Sequence, residues 1–408
     1  MRGTAGGRAR GAAGVGMRAA AGGANLLALR SHNTALVLDL LRTAGAEGIS
    51  RLELAERTGL TPQAVSKITA RLRGEGLAAE AGRRASTGGK PRTVLRLVPG
   101  AGHALGVHLD RDELRAVLVD LDGTVVAQRC ARLDLGAGAE TVLEGVARAA
   151  EELVGEVLSV PAAVEGSWPT GRGLAAVPTL LGLGVALPGP LDHLRGVLHR
   201  VTGFPEWDGF PLRDALERRL GVPVVVDKDT NAAALGLAIG GGGGGDDGGG
   251  GGGSFAYLHL GTGLGAGLVF GGGVHRGART GAGEFGHQVV QLDGPPCTCG
   301  ARGCIEALCL AAVARGDLAE AARVLGTGAA NLAGLLDIDL VLLGGRTVAA
   351  APEAFVHGVG AVLDARARRE GGRDGAVPVR LAPGGTRAVA EGAAQLLLAP
   401  LFGRGDGG

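Results

Sequence analysis

Residues 283–306 read G-E-F-G-H-Q-V-V-Q-L-D-G-P-P-C-T-C-G-A-R-G-C-I-E. Three of the chain's five cysteines and one histidine fall in this stretch. His287, Cys297, Cys299 and Cys304 offer one nitrogen and three sulfurs, a donor set for tetrahedral zinc in a closed, structural site. Glycines and prolines around the cysteines let the backbone fold three thiolates onto one ion. Three sulfurs favour zinc or another thiophilic metal over magnesium or calcium. The competing reading is a loop of free cysteines, but the spacing C-x-C-x4-C is hard to obtain by chance. A disulfide fits less well, since nothing in the chain indicates secretion.

The chain has 408 residues, enough for two or three domains with cores of their own. Its formal charge of +1 is unevenly spread. Residues 1–98 hold 16 Lys+Arg against 6 Asp+Glu, a net of +10, and the remaining 25 basic and 34 acidic residues carry −9. A basic head on an acidic body points to a nucleic-acid-binding module joined to something else. No run of 18 apolar residues exists, so no membrane span is expected. The arginine-bearing N-terminus lacks the apolar core of a signal peptide. A reducing, cytoplasmic setting is the consistent expectation.

Residues 1–30 are mostly Gly, Ala and Arg and read as a disordered basic tail. From Ser31 the pattern sharpens. Asn33 to Ala44 places Leu36, Val37, Leu40 and Leu41 at helical spacing. Ser50, with Glu53 three residues on, forms a capping box for a short helix. Thr61 is an N-cap and Pro62 takes the first helical position, where its missing N–H costs nothing. A second helix runs from Gln63 to about Arg73 with Val65, Ile68 and Leu72 inside. Two short helices joined by a Gly-containing turn are a helix-turn-helix. The expected exposed side of the second helix carries Gln63, Ala64, Ser66, Lys67, Thr69 and Arg71. With Thr61, these residue types reach base edges and phosphates in a major groove. Leu77 to Glu80 and Thr93 to Leu97 read as strands, with Arg83, Arg84, Lys90 and Arg92 on a Gly-rich loop between them. That loop would be a wing with cations placed for DNA backbone contact. A protein-docking module with a solvated basic face is the alternative.

The combined pattern G-E-x-G-H followed by C-x-C-G-x-x-G-C-x-E resembles the signature of the ROK family (repressors, open reading frames and sugar kinases). The resemblance runs with gaps from about Ser31 to Leu401, and the head resembles the winged helix-turn-helix of ROK repressors, down to T-G-L-T-P-x-x-V-S. It implies an α/β fold: a winged helix-turn-helix over residues 31–98, then a two-lobed actin-like, hexokinase-like ROK domain over 99–408. It also implies a structural zinc beside a sugar pocket. Residues 240–253, almost pure glycine, read as a flexible loop between the lobes. Residues 160–178, broken by Pro and Gly, read as a surface insertion.

Within that resemblance the departures matter. The kinases' first phosphate turn resembles D-x-G-G-T-K, but here it reads Asp110-Arg111-Asp112-Glu113-Leu114-Arg115. Both glycines and the threonine are replaced, and Asp112 and Glu113 would repel phosphate. A second Gly-rich loop, Gly261 to Gly267, is retained. Asp227-Lys228-Asp229-Thr230-Asn231 stands where the kinases resemble N-D-A-N. Asp229 matches their general base and is expected to be vestigial, while Lys228 replaces the sugar-binding Asn. As one of only three lysines, Lys228 has three readings. It pairs with Asp229, it binds an anionic ligand such as a sugar phosphate or sugar acid, or it turns to solvent. Glu284, His287 and Glu306 match the remaining sugar contacts, with His287 serving metal through one ring nitrogen and ligand through the other.

The reading is therefore a non-enzymatic, sequence-specific DNA-binding regulator of the repressor type. It carries zinc, binds a carbohydrate between its lobes, and acts as a homodimer or higher homo-oligomer on an inverted-repeat operator. Two rivals stand beside it: a sugar kinase with an added head, and a ligand-independent regulator with a dead kinase domain.

Overall fold

The computed structural model describes residues 26–86, 89–158, 174, 177, 179–201, 203–240, 253–371 and 375–404. Most of the expected tail, the glycine run over 241–252, and most of the 160–178 stretch lie outside these residues. Two expectations there are corrected all the same. Residues 26–30, read as tail, begin helix α1 (Leu26–Thr43). Leu174 and Val177, read as part of a surface insertion, are buried in a core.

After α1 come strand β1 (Ile49–Ser50), α2 (Arg51–Thr58) and α3 (Pro62–Gly74). Both caps form as their residue types dictate. Ser50 Oγ accepts from Glu53 N at 3.3 Å while Glu53 Oε2 accepts from Ser50 N at 2.8 Å. Thr61 Oγ1 accepts from Ala64 N at 3.2 Å. Strands β2 (Ala78–Ser86) and β3 (Gly89–Leu97) pair antiparallel, with β1 on the far side of β3. Arg83, Arg84, Lys90 and Arg92 thus sit on the strands themselves, not on a loop between them. Backbone pairing carries the ladder through Arg84↔Arg92 to Ser86↔Gly89, past a bulge at Glu80/Gly82. Pairing to a partner strand, which alternation alone does not register, extends the hairpin.

The first lobe is a five-stranded sheet in the order β10-β7-β4-β5-β6. Its meander is β4 (His103–Leu109), β5 (Glu113–Asp120) and β6 (Val125–Arg132), followed by α4 (Ala139–Val157). Parallel strands β7 (Leu180–Leu187) and β10 (Val224–Lys228) follow, separated by the small hairpin β8 (Leu191–Asp192), β9 (Val197–Leu198) and helix α5 (Leu212–Leu220). Trp207 is buried there and donates its ring N–H to Leu135 O at 2.9 Å, so its one polar atom is satisfied.

The second lobe repeats the plan. Helix α6 (Asp229–Ile239) leads into β11 (Phe255–Leu260), β12 (Leu264–Phe270) and β13 (Gly273–Val274). Then come α7 (Ile305–Ala314), α8 (Leu318–Leu336), β14 (Leu340–Gly344), α9 (Arg346–Ala350), α10 (Pro352–Glu370), β15 (Val379–Leu381) and α11 (Ala388–Leu398). The order is β13-β12-β11-β14-β15, antiparallel on one side and parallel on the other.

Helices α6 and α11 join the halves: α11 packs on β4, β5 and β7, α6 packs on β11 and β12, and the two helices cross each other. The crossing is close. A Cβ on Gly392 would run into the backbone carbonyl of Ala232, and one on Gly236 would lie 2.9 Å from Gly392 Cα. Beyond α11 a 3-10 turn, Ala399–Phe402, packs on α1. One core therefore runs from the head (Val37, Leu41, Leu54, Leu72) through Val117 and Val119 of β5 to Ala394 and Leu398 of α11 and on to Phe402.

Candidate ligand pocket and metal centre

The parallel strands of the first lobe end at a cleft, where open α/β sheets bind ligands. Strand β10 delivers Lys228 and α6 begins with Asp229. The 3-10 turn Phe285–His287 supplies His287, its N-cap is Glu284, and the first turn of α7 supplies Glu306. All five side chains expected for the ligand line one cavity of about 80 Å³, together with Asp110, Arg111, His259 and Thr262.

Each group has a defined partner. Asp227, 1% exposed, anchors the floor: it accepts from Lys228 N and Asn231 Nδ2 and pairs with Arg276 Nε at 2.7 Å. Asp229 Oδ1 accepts from Thr230 N at 2.7 Å, the first turn of its own helix. Glu306 Oε2 accepts from Leu264 N at 2.8 Å, tying α7 to the retained Gly-rich turn.

Lys228 is neither turned to solvent nor paired with Asp229. Its side chain is 5% exposed, and Nζ donates to Glu284 Oε1 at 2.6 Å and to Ala282 O at 3.0 Å. Its methylenes pass over Gly189, where an added Cβ would lie 3.2 Å from them. Asp229 is occupied by its own helix start, so the ammonium finds its carboxylate on the loop 56 residues away.

The kinase-like phosphate side is closed by the chain itself. Thr262, from the second Gly-rich loop, donates to Asp110 Oδ1 at 2.6 Å across the lobes. Arg346, at the start of α9, holds Asp112 through both terminal nitrogens, at 2.8 and 3.2 Å. Burial would raise the Asp110 carboxyl, but hydrogen bonds from Thr262 and Arg111 N outweigh it and hold the group below its ordinary range. Beneath lies a stack of rings. Tyr257 Oη and His259 Nδ1 are 2.9 Å apart, and His108 meets His259 edge to face. Burial, then the neighbouring His259, lowers His108 to about 4, against the opposing pull of Asp229 and Asp110. Neither Arg346 nor His108 stood out in the sequence, since no motif carries them.

His287, Cys297, Cys299 and Cys304 converge. Their ligand atoms all lie within 4.8 Å of one another. Cys297 Sγ is 3.7 Å from His287 Nδ1, and Cys299 Sγ is 3.7 Å from Cys304 Sγ. A zinc tetrahedron with Zn–S bonds of about 2.3 Å has S–S edges of roughly 3.8 Å, so the donor set fits that ion. Gly303 makes the knuckle possible: its φ is +67°, and a Cβ there would strike Gln291 O. Burial, with Cys299 and Cys297 adding, pushes the Cys304 thiol up to about 12. Cys309 is separate and buried, donating to Ala321 O.

On the head, Thr61, Gln63, Ser66 and Lys67 are exposed, and Ala64 is half-buried. Arg71 is half-exposed and donates to Thr34 Oγ1 at 2.8 Å. Thr69 is corrected: it is 0% exposed, bonds to Val65 O at 2.8 Å, and accepts from Arg51 Nε at 3.3 Å. It follows Val65 by four residues and so shares the buried face. Arg92 is exposed, and the Lys90 side chain lies outside the described residues.

The ROK family profile matches residues 173–315. A ROK hexokinase from Thermus thermophilus is 30% identical with a TM-score of 0.52, and the match covers 72% of this chain and 96% of that one. The chain belongs to the ROK family. A ROK family transcriptional regulator, described as a homologue of the E. coli MLC protein, superimposes with a TM-score of 0.68. That match covers 92% of this ROK chain and 98% of the other at 21% identity, a likeness of fold. The xylose repressor of Bacillus subtilis (strain 168) is 27% identical over 258 residues, 63% of this chain and 61% of that repressor's length. Among the described residues no helix of this ROK protein is long and apolar enough to cross a membrane.

Proposed function

We propose that this protein is a DNA-binding transcriptional repressor whose grip on its operator is set by a carbohydrate held between its lobes. The observation that carries the reading is the pairing of two features. An exposed row of Gln63, Ser66 and Lys67 lies on a capped recognition helix. The body below it has spent its phosphate turn on its own contacts, Asp110 to Thr262 and Asp112 to Arg346. ATP phosphates need free backbone N–H groups or cations, and that turn sets three carboxylates against two arginines, of which Arg115 is held by Glu113. The rival reading, a sugar kinase with a head, loses support at that point. The repressor name of the Bacillus subtilis relative supports the first reading.

In this reading residues 31–98 are the DNA-binding module and 99–408 the sensor. Lys67, Arg71, Lys90 and Arg92 meet phosphates, while Thr61, Gln63, Ala64 and Ser66 face base edges. Such a head reads half a site, so the protein binds an inverted repeat as a dimer. Asp229, Glu284, His287 and Glu306 hold sugar hydroxyls. His287, Cys297, Cys299 and Cys304 hold a structural zinc, which supplies a rigid knuckle beside the ligand rather than chemistry. A ligand that prefers one lobe angle shifts the heads relative to each other and mismatches the half-sites.

Gel-shift titrations at fixed salt test this. Lys67→Ala is expected to weaken operator binding about tenfold and leave carbohydrate binding intact. Glu284→Ala is expected to abolish the carbohydrate response and leave DNA binding intact. The intact protein, given hexoses and Mg-ATP, is expected to show background turnover. An unchanged response in Glu284→Ala would mean that this cleft is not the sensor, no response in the intact protein would make it a ligand-independent regulator, and robust phosphorylation would make it a kinase.

A further inference from the structure

Three features of the pocket would ordinarily attract an anion, and each is already answered by a carboxylate of the chain. The first turn of α6 lies at the cleft, and its Asp229 accepts from Thr230 N there. The N-terminus of α7 opens on the same cleft with Glu306 in its first turn. Lys228, the buried ammonium, is bound to Glu284 at 2.6 Å and to Ala282 O. Four carboxylates line the cavity, Asp110, Asp229, Glu284 and Glu306, against two cations, Arg111 and Lys228. Arg111 lies over the Phe204 ring, 5.6 Å from its centre. Arg346, 3.9 Å from Asp110, is engaged by Asp112, and Arg276 by Asp227.

We propose that this pocket rejects anionic carbohydrates, and that Lys228 sets the selectivity as a positioning residue clamped on Glu284 instead of as an anion receptor. The inference rests on the reading of this cleft as the carbohydrate site. A phosphate or carboxylate entering here meets Asp229 and Glu306, while the two lining cations are engaged, Lys228 by Glu284 and Arg111 over the Phe204 ring. To recruit Lys228 it must displace Glu284 from a 2.6 Å pair or crowd a second anion against it, at an ammonium almost wholly out of water. An uncharged polyol meets acceptors already aimed: Asp229, the second oxygen of Glu306 and the outer oxygen of Glu284, which is 46% exposed. An amine-bearing sugar adds a cation to a lining that has carboxylates to spare.

Isothermal titration of the full chain tests it with five probes: xylose, glucose, glucosamine, glucose 6-phosphate and gluconate. At least one of the first three is expected to bind at least thirtyfold more tightly than either anion. Glu284→Gln then isolates the clamp, because it keeps the half-exposed side chain's shape and releases the ammonium. It is expected to move the ratio of uncharged to phosphorylated sugar affinity at least tenfold toward the phosphate, a readout that a loss of packing alone does not produce. Lys228→Arg is expected to keep the original preference. Tighter binding of glucose 6-phosphate or gluconate by the intact protein overturns the proposal, as does an unchanged ratio in Glu284→Gln. Binding of none of the five overturns the carbohydrate reading of the cleft as well, which distinguishes the two failures.

Discussion

Single side chains carry the clearest consequences. Cys299 supplies one sulfur to the cluster at residues 283–306. If zinc occupies it, metal affinity and folding of the second lobe are coupled. Cys299→Ser is expected to purify with less than about one tenth of the parent's zinc by elemental analysis and to melt at lower temperature. Absence of zinc from the parent would remove the assignment. His108 makes a second prediction. Its folded value is about 4 and its ordinary value is 6.5. A histidine depressed in the folded state contributes fully above 6.5, and the contribution is lost as pH falls toward 4. The difference is worth about 3 kcal/mol. Urea midpoints at pH 7 and pH 4.5 are expected to fall further apart in the parent than in His108→Gln. Equal drops would mean that His108 is not buried neutral. The residue types of both sites were legible in the sequence in different degrees. The metal donors stand in one short motif, so spacing announces them. His108, Arg346 and the true partner of Lys228 are brought in from 56 to 234 residues away, which no local pattern encodes.

Elements were legible where their signals are local. The capping box at Ser50 and Glu53 and the Thr61 cap with Pro62 each contain their own instructions, and each forms as read. Both strands of the wing were legible but their reach was not, because the length of β2 and β3 is set by the ladder between them. Nor was the crossing of α6 with α11, where the sequence shows only a glycine in each helix. That crossing makes the third prediction. Gly392→Ala adds one methyl against the Ala232 carbonyl, where neither helix can yield without leaving its sheet. The expected cost is about 1–3 kcal/mol by chemical denaturation, although alanine is the better helix former by about 1 kcal/mol. A stabilised variant would mean that the helices do not meet there.

At the scale of the molecule, pocket and head are mechanically continuous. Asp229 starts α6, α6 crosses α11, and α11 runs into the turn that seats α1. The seat is specific: Arg42 lies over the Phe402 ring at 4.9 Å, and Asp39 binds both Arg42 and Arg404. Phe402→Ala is expected to keep both carbohydrate and operator binding while cutting the ligand's effect on operator affinity severalfold, as read by gel shift with and without sugar. Full coupling in that variant would mean that the signal takes another route.

The same seat has a temporal side. The ion pair between Asp39 and Arg404 closes across 365 residues of chain. A ribosome releases the head hundreds of residues before its seat, and domains fold as they emerge. Through that interval α3 is made while part of the core it shares with the body, and the seat on α1, are still to come. In the proposed function, an interrupted chain would be a head without a rein, able to meet DNA and deaf to sugar.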